Sequence, residues 1–174
     1  MIFTSESGLT DHRRIAEWDE WYLGHLAAMV AVPGIASAQR FGTRTAGVPP
    51  SLAMYTVSSP AVFDSEIYRR TRGMGAFVPV VDERLHRRNL FDGLDAALVA
   101  ATGAVLLVAD RDAEGAAVAG IVWLRAVGLD RSTAWRAIGV FSDHAAAQAA
   151  AGNLGGASAI YIPMTERFEA RGGL

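Results

Sequence analysis

Residues 17–41, EWDEWYLGHLAAMVAVPGIASAQRF, decide how this chain folds. Apolar and aromatic residues recur at intervals of three and four in the first part of the stretch, which predicts an amphipathic helix. Pro33 and Gly34 end that helix, because a proline disfavours helical backbone at the residue before it. A strand then begins at Ile35. One face of the helix carries Ile15, Trp18, Trp21, Tyr22, His25 and Met29.

The aromatic face of this helix has two interpretations. Aromatic residues at helical spacing usually pack in a core, so the face could be buried against a sheet. The same face could instead line an aromatic pocket, with His25 as its imidazole. An imidazole has an ordinary pKa near ~6.5 and can move protons at neutral pH. The residues alone leave both interpretations open.

Composition excludes several classes of site. The chain has 174 residues, of which 51% are hydrophobic, and it contains no cysteine. Thiolate catalysis and cysteine-bound zinc are therefore excluded. A net charge of -2 gives no reason to expect nucleic acid or an anionic membrane as a partner. The N-terminus has no signal-peptide pattern, and the apolar runs are shorter than the ~20 residues that cross a bilayer. We expect a cytoplasmic protein.

Residues 1–92 predict the element order β-α-β-β-α-β. Strands are predicted at 1–5, 35–41, 51–57 and 77–81, and a second helix begins after Ser59 and Pro60, which fit an N-cap followed by a first helical position. This order is the split βαβ arrangement of ferredoxin-like folds.

The remaining residues read as a degenerate copy of the same unit. LAMYTVSSPAVF at 52–63 and RAIGVFSDHAAA at 136–147 both indicate a strand, a helix cap and a helix. We therefore predict an α+β fold with two ferredoxin-like halves, 1–95 and 96–174, fused in tandem as a pseudo-dimeric α+β barrel. The second half is predicted to contain a buried helix over 116–127, and the chain after Arg167 is expected to fray.

Three segments together resemble the EthD-like members of the dimeric α+β barrel superfamily. They are WDEWYLGHL at 18–26, VPGIASAQRF at 32–41 and LAMYTVSSPAVFDSEIYRR at 52–70. The resemblance implies a four-stranded sheet that pairs face to face with a second sheet, and a pocket between sheet and helices. Such proteins include cofactor-independent enzymes, haem-handling enzymes and members with no known activity. In the resembled pattern an acidic residue directly precedes the histidine, where this chain has Gly24. A proline often follows the His-Leu pair of the pattern, where this chain has Ala27.

The resemblance implies a cofactor-independent enzyme for a small aromatic or polyketide-like substrate. His25 would be the proton shuttle. Arg40 would bind an anionic group of the substrate, because a guanidinium can bind a carboxylate or phenolate bidentately. The pocket would be lined by Trp18, Trp21, Tyr22 and Tyr55.

Other interpretations remain open for the same residues. Pairing of Arg40 with an Asp or Glu is the commoner outcome for an arginine. Asp19 is expected on the solvated side of the helix. The basic run that contains His86 and Arg88 is either an anion patch or a charged edge strand. The protein could also be a non-catalytic ligand-binding or structural protein, which the missing carboxylate at Gly24 favours.

Expectations about cofactors and assembly follow from the same residues. A lone histidine can hold haem iron, so haem binding through His25 is a further alternative. The four histidines are too scattered for a zinc site, and no glycine-rich phosphate loop is present. We expect no metal and no cofactor, a small apolar or aromatic ligand, and room for a homodimer.

Overall fold

The computed structural model describes residues 1–171 of the chain, so the last residues of the predicted second half, 172–174, lie outside the described part. In chain order the described part forms strands β1 to β9 and helices α1 to α3. The strands are Ile2–Ser7, Ile35–Gly42, Ser51–Val57, Arg87–Asp92, Val105–Arg111, Val122–Leu129, Trp135–Phe141, Ala159–Pro163 and Phe168–Glu169, and the helices are Ile15–Val30, Glu66–Thr71 and His144–Leu154.

Eight strands close into an antiparallel barrel. Their order is β3-β1-β4-β6-β7-β5-β8-β2, and β2 pairs with β3 to complete the ring. The short β9 pairs with β2 beside β8. Because the ring is closed, the described strands leave no long sheet edge exposed to other chains. The protein therefore has a mixed α+β fold built on an eight-stranded antiparallel barrel.

The strands bury one face inside the barrel and the other under helices. Successive strand residues point to opposite faces, so Ile2 belongs to the inner core while its neighbour Phe3 packs under α1. Helices α1 and α2 cover the outer face of β1 to β4. Helix α3 covers the outer face of β5, β7 and β8.

The connection between β4 and β5 covers one end of the barrel. Ala97 and Ala100 from this connection are buried in the inner core. The Ala97 backbone N–H donates to Thr56 Oγ1 at 2.9 Å. The Gln39 side-chain amide donates to the Ala100 carbonyl at 2.8 Å and accepts from the Ala100 N–H at 3.2 Å. The joint of the two predicted halves is thus part of the core.

A charged cluster lies inside the barrel. Arg136 from β7 is 1% exposed and donates to both carboxylate oxygens of Asp110, at 2.7 and 2.8 Å. The same guanidinium forms an ion pair with Glu6 and donates to Thr4 Oγ1 at 3.2 Å. Glu6 and Thr4 belong to β1, so this cluster joins the first part of the chain to the second.

The structure confirms three predicted elements around residues 17–41 and corrects three others. Helix α1, β2 and β3 lie where the periodicity places them. The helix predicted over 116–127 is wrong, because residues 112–121 form no helix and β6 follows at Val122–Leu129. The strand predicted at 77–81 is instead a 3-10 helix, Gly75–Val80. Phe168–Glu169 form β9, so the fraying expected after Arg167 does not begin there, and the part of that prediction that falls on 172–174 lies outside the described residues.

Candidate functional site

A cavity of about 480 Å³ lies between α1, the end of α2 and the outer face of β1, β3 and β4. Aromatic rings form its inner part, and arginines lie among its outer residues. Its lining consists of Phe3, Ser5, Tyr22, His25, Met29, Tyr55, Tyr68, Arg69, Arg72, Gly73, Met74, His86, Arg88 and Asp130.

The residue spacing along α1 and the pairing of β1 with β3 determine which aromatic side chains line the cavity. Tyr22, His25 and Met29 are three and four residues apart, so they share one helix face. Phe3 on β1 and Tyr55 on β3 are register partners on the face opposite to them. Their rings stack with centroids 5.0 Å apart and planes 21° apart. The cavity therefore has rings on two sides.

His25 presents a neutral imidazole to the cavity. Its ring stacks on Trp21 with centroids 4.6 Å apart, and it meets Tyr22 edge-on at 5.8 Å. Burial lowers the pKa of His25 to about 4. Burial is the one cause of this shift, and no hydrogen bond from residues 1–171 to a ring nitrogen contributes to it. At neutral pH an unprotonated nitrogen of His25 is therefore available to a ligand.

Two tyrosines supply neutral hydroxyl groups. Burial raises the pKa of Tyr55 well above its ordinary value. Burial also raises the pKa of Tyr22, against the opposing effects of the Arg40 charge and the hydroxyls of Ser7 and Ser51. Both side chains remain protonated phenols at neutral pH. The Tyr22 hydroxyl faces Ser7 and Ser51, whereas the Tyr55 phenol can donate a hydrogen bond to a ligand oxygen.

The end of α2 forms one side of the cavity mouth. The Ser65 hydroxyl caps the start of this helix by accepting from the Tyr68 N–H at 3.2 Å. The helix ends at Thr71, its C-cap Arg72 has an extended backbone, and Gly73 follows with a φ of +112°, a left-handed conformation that favours glycine. This turn places Arg69, Arg72 and Gly73 at the cavity.

The second part of the chain contributes Asp130 to the mouth. The turn that contains Asp130 is bound to β4, because Asn89 donates to Ser132 Oγ and accepts from the Ser132 N–H, both at 2.8 Å. Asp130 Oδ2 accepts from the Arg88 backbone N–H at 2.7 Å. Its other oxygen is 4.0 Å from Arg88 Nη2.

Arg40 lies outside the cavity, so the expected anion-binding role there is not met. Its side chain is 3% exposed, and Nη1 is 2.7 Å from Asp19 Oδ1. Nε donates to Ser51 Oγ at 2.9 Å. The guanidinium also packs over the rings of Tyr22, at 4.1 Å, and Trp18, at 4.8 Å. Arg40 therefore pairs with a carboxylate and supports Tyr22 from behind, and Asp19 is not simply solvated.

The cavity brings together only some of the residues that the sequence singled out. His25, Tyr22 and Tyr55 line it, as do His86 and Arg88 from the basic run. Trp18 is buried in the core beside Tyr22, and Trp21 supports His25, but neither lines the cavity. The remaining lining residues were not predicted from the sequence, and of these Tyr68, Arg72 and Asp130 matter most for the charge and shape of the mouth.

The described residues offer neither a metal site nor a membrane span. In the described part of the chain, no group of three or more His, Asp or Glu side chains is arranged to hold a metal ion. None of the helices formed by residues 1–171 has both the length and the apolar character needed to cross a membrane.

Comparison by sequence gave no match, either to a family model or to a curated protein. Comparison by structure gave matches over almost the whole chain. The crystal structure of an anthrone oxidase-like protein has a TM-score of 0.56 at 14% identity, covering 99% of this chain and 94% of that one. A proposed monooxygenase from Lactobacillus acidophilus NCFM has a TM-score of 0.53 at 9% identity, covering 94% of each chain.

A third neighbour is a proposed monooxygenase from Fusobacterium nucleatum subsp. nucleatum ATCC 25586. It has a TM-score of 0.52 at 11% identity, covering 99% of this chain and 94% of that one. At such identities the likeness concerns the fold alone, so this chain shares its overall barrel architecture with these three structures.

Proposed function

We propose that this chain is a cofactor-independent enzyme that oxidises a small aromatic or polyketide-like molecule with dioxygen, using His25 as its base. The observation that carries the proposal is the neutral imidazole of His25 on the wall of an aromatic cavity. An unprotonated imidazole can accept a proton, and the rings around it can hold a flat aromatic substrate.

The reaction requires a substrate with an acidic methylene group between aromatic rings. His25 accepts a proton from the methylene carbon, and the electron pair of the broken C–H bond delocalises into the substrate rings. Dioxygen takes up the electrons and forms a bond to the carbon, and its O–O bond then breaks. One oxygen atom stays on the carbon as the carbonyl oxygen of the product. The other leaves as water with both methylene hydrogens, so each dioxygen converts one methylene group and no other oxidant or reductant is consumed.

The cavity has groups suited to the charge that develops in this reaction. The phenol of Tyr55 can donate a hydrogen bond to an enolate oxygen, and the ring of Tyr22 forms part of the wall. A developing anion beside His25 would favour the imidazolium and raise its low pKa as the proton is transferred. The names of the structural neighbours, anthrone oxidase-like protein and monooxygenase, support the same class of reaction. The proposed reaction is therefore argued from the residues of the cavity, because a shared fold does not by itself imply a shared reaction.

We also propose that the barrel consists of two copies of one folding unit, because its two parts have the same strand order. The strands run β4-β1-β3-β2 across the first part of the barrel and β8-β5-β7-β6 across the second. Each part therefore repeats one order of fourth, first, third and second strand. This supports two ferredoxin-like halves, 1–95 and 96–174, fused in tandem. The EthD-like character proposed for the first half rests on its sequence segments at 18–26, 32–41 and 52–70. Among the described residues the second half has α3 but no counterpart of α1, so its outer face is covered without an aromatic helix.

Oxygen consumption tests the proposed function. We would measure uptake with 1,8-dihydroxyanthrone as the probe, in chelator-treated buffer without added cofactor, and follow the quinone product by absorbance. We expect one dioxygen consumed per quinone formed. H25Q should lower kcat by about a hundredfold or more, the usual contribution of a general base. H144Q, at an exposed position on α3, should leave the rate unchanged.

A non-catalytic ligand-binding role is the second candidate. A base whose pKa is about 4 is weak in the resting protein, and the chain has Gly24 in place of the acidic residue of the resembled pattern. This role predicts tight binding of the quinone without oxygen uptake from the anthrone. A Soret band that forms on haem addition and is lost in H25Q would instead support haem binding.

A further inference from the structure

We infer that the aromatic ligand of this cavity carries a carboxylate, and that Arg72 and Arg88 bind that group at the mouth. The inference rests on the proposed function only in placing the ligand between α1 and the sheet. It names the chemical class of the ligand and two binding residues that the resemblance did not suggest.

The charge of the cavity is opposite to that of the whole protein. Its lining contains three arginines, Arg69, Arg72 and Arg88, against one carboxylate, Asp130. The complete chain has a formal net charge of -2. The excess of cationic groups around an otherwise aromatic cavity is therefore local, and it favours an anion there.

The backbone of Arg72 caps the end of α2 at the mouth, and its exposed guanidinium pairs with no carboxylate of residues 1–171. Its two neighbours on α2 differ, since Arg69 lies 3.8 Å from Asp64 and Arg70 pairs with Glu66. The turn that follows Arg72 is fixed by the left-handed Gly73. A guanidinium without a carboxylate partner in residues 1–171, at the mouth of the cavity, is available to a ligand carboxylate.

Arg88 is the more buried of the two arginines. Its side chain is 29% exposed, and its Nη2 is 4.0 Å from Asp130, which is too long for a hydrogen bond. The same carboxylate is bound instead by the Arg88 backbone N–H at 2.7 Å. The Arg88 guanidinium therefore keeps N–H groups for a ligand, although Asp130 offsets part of its charge.

Both arginines line the cavity together with Tyr68. Tyr68 is buried and lines the cavity. Burial raises its pKa, and the charges of Arg88 and then Arg72 oppose that rise. Because both guanidinium groups line this one cavity and lower the pKa of the same hydroxyl, a carboxylate bound beside Tyr68 is attracted by both charges. The ligand rings would then lie inward, beside Phe3 and His25.

Binding of 2-naphthoate tests the inference, and methyl 2-naphthoate serves as its neutral counterpart. We would measure both by calorimetry with the wild type, R72Q and R88Q. The matched control is R70Q, which removes a charge from the same helix at an exposed position that does not line the cavity. We expect the acid to bind about tenfold more tightly than the ester, as for a charge-assisted hydrogen bond, and R72Q and R88Q each to abolish most of that preference.

Two results would overturn the inference. One is equal affinity for the acid and the ester in the wild type. The other is an equal loss of affinity in R70Q and R72Q, which would indicate only a general effect of net charge. A second readout is the dependence of naphthoate affinity on salt, which should weaken in R72Q. Because Arg72 is exposed, this variant keeps the test valid even if R88Q folds poorly.

The binding assay separates this inference from the proposed function. Binding of naphthoate that depends on Arg72, without oxygen uptake from any anthrone, would support the inference and contradict the enzyme. Oxygen uptake that depends on His25, with equal binding of acid and ester, would support the enzyme and contradict the inference.

Discussion

Arg136 compensates two carboxylates inside the barrel. Its guanidinium is buried and is shared by Glu6 and Asp110. Glu6 is itself only 3% exposed, so it depends on Arg136 for charge compensation. Breaking a buried ion pair by removing one partner is costly, because the other charge remains in a poorly solvated place.

The variant R136M should lower the free energy of unfolding by about 3–5 kcal/mol, the range for a buried charge that has lost its partner. Urea unfolding at pH 7 measures this. The matched control R125M removes an exposed arginine of β6 and should change stability by less than about 0.5 kcal/mol. Equal stabilities for the two variants would mean that the cluster contributes nothing to closure of the barrel.

His25 should make stability depend on pH between about 6.5 and about 4. Its pKa falls from 6.5 to about 4 on folding, so in this interval the unfolded chain binds the proton more tightly. The free energy of unfolding must then decrease as the pH falls through the interval. Above the unfolded pKa, His25 adds no such dependence.

The difference in stability between the wild type and H25Q isolates this effect from the carboxylates. We expect any advantage of the wild type over H25Q to shrink as the pH is lowered from 7 to 4.5 in urea titrations. The variant H144Q, at an exposed position, should follow the wild type at every pH. A difference between wild type and H25Q that does not vary with pH would show that His25 keeps an ordinary pKa.

At the scale of elements, Gly24 and Gly73 differ in whether another residue can replace the glycine. Gly24 lies within α1, and no atom lies within 4 Å of the place where a Cβ would stand. Gly73 also has open space, but its φ of +112° is one that other residues rarely adopt. The first glycine weakens its helix, while the second makes the turn that carries Arg72.

The variant G24A should raise the free energy of unfolding by about 0.5–1 kcal/mol, because alanine has the higher helix propensity. G73A should lower it by about 1 kcal/mol or more, since the left-handed backbone must be strained or rebuilt. Thermal or urea unfolding measures the stability of both variants, and each serves as the control for the other because both replace glycine by alanine. Stabilisation by G73A would contradict the assigned turn.

The sequence predicts those elements whose signals are local. Helix α1 has an apolar face and a Pro-Gly stop within one stretch, and β2 and β3 are bounded by turn residues, so all three were expected correctly. Strand β6 was not, because a short apolar run fits either a helix or a strand. Residues 122–129 form a strand because they pair with β4 and β7 in the barrel. A local sequence pattern does not contain information about such pairing.

The residues of the site also divide into those that local spacing predicts and those that only contacts between distant parts of the chain bring together. The helical spacing of Tyr22 and His25 was sufficient to place both on one wall. Arg40 was expected to face a ligand, but the partner that holds it, Asp19, was assigned to solvent. Arg72 and Asp130 reach the cavity through a glycine turn and a loop of the second half. Their contribution depends on contacts between distant parts of the chain, so no local pattern of residues could indicate it.

At the scale of the whole molecule, the two parts of the chain share one core. The inner cluster combines Ile2 and Phe41 from the first part with Leu106 and Ile138 from the second. The connection over 93–104 is bonded to Gln39 and contributes to the same cluster. Neither part can bury its inner face alone, so we expect one cooperative unfolding transition.

Tryptophan variants can test this cooperativity, because each part has two tryptophans. W123F/W135F leaves fluorescence from Trp18 and Trp21 in the first part, and W18F/W21F leaves fluorescence from the second. Within each variant, the urea midpoint by fluorescence should equal the midpoint by far-ultraviolet circular dichroism. Separate midpoints would mean that the parts unfold independently.

The most direct test of the proposed site is the response of the histidine side chains to a ligand. We would record two-dimensional spectra of the 15N-labelled imidazoles while adding 1,8-dihydroxyanthraquinone, which is neutral and cannot be oxidised further by the proposed reaction. His25 and His86 line the cavity, whereas His12 and His144 are exposed elsewhere. We predict saturable shifts of the His25 and His86 signals while the other two stay in place. Unchanged His25 signals at saturating ligand would contradict the proposed site.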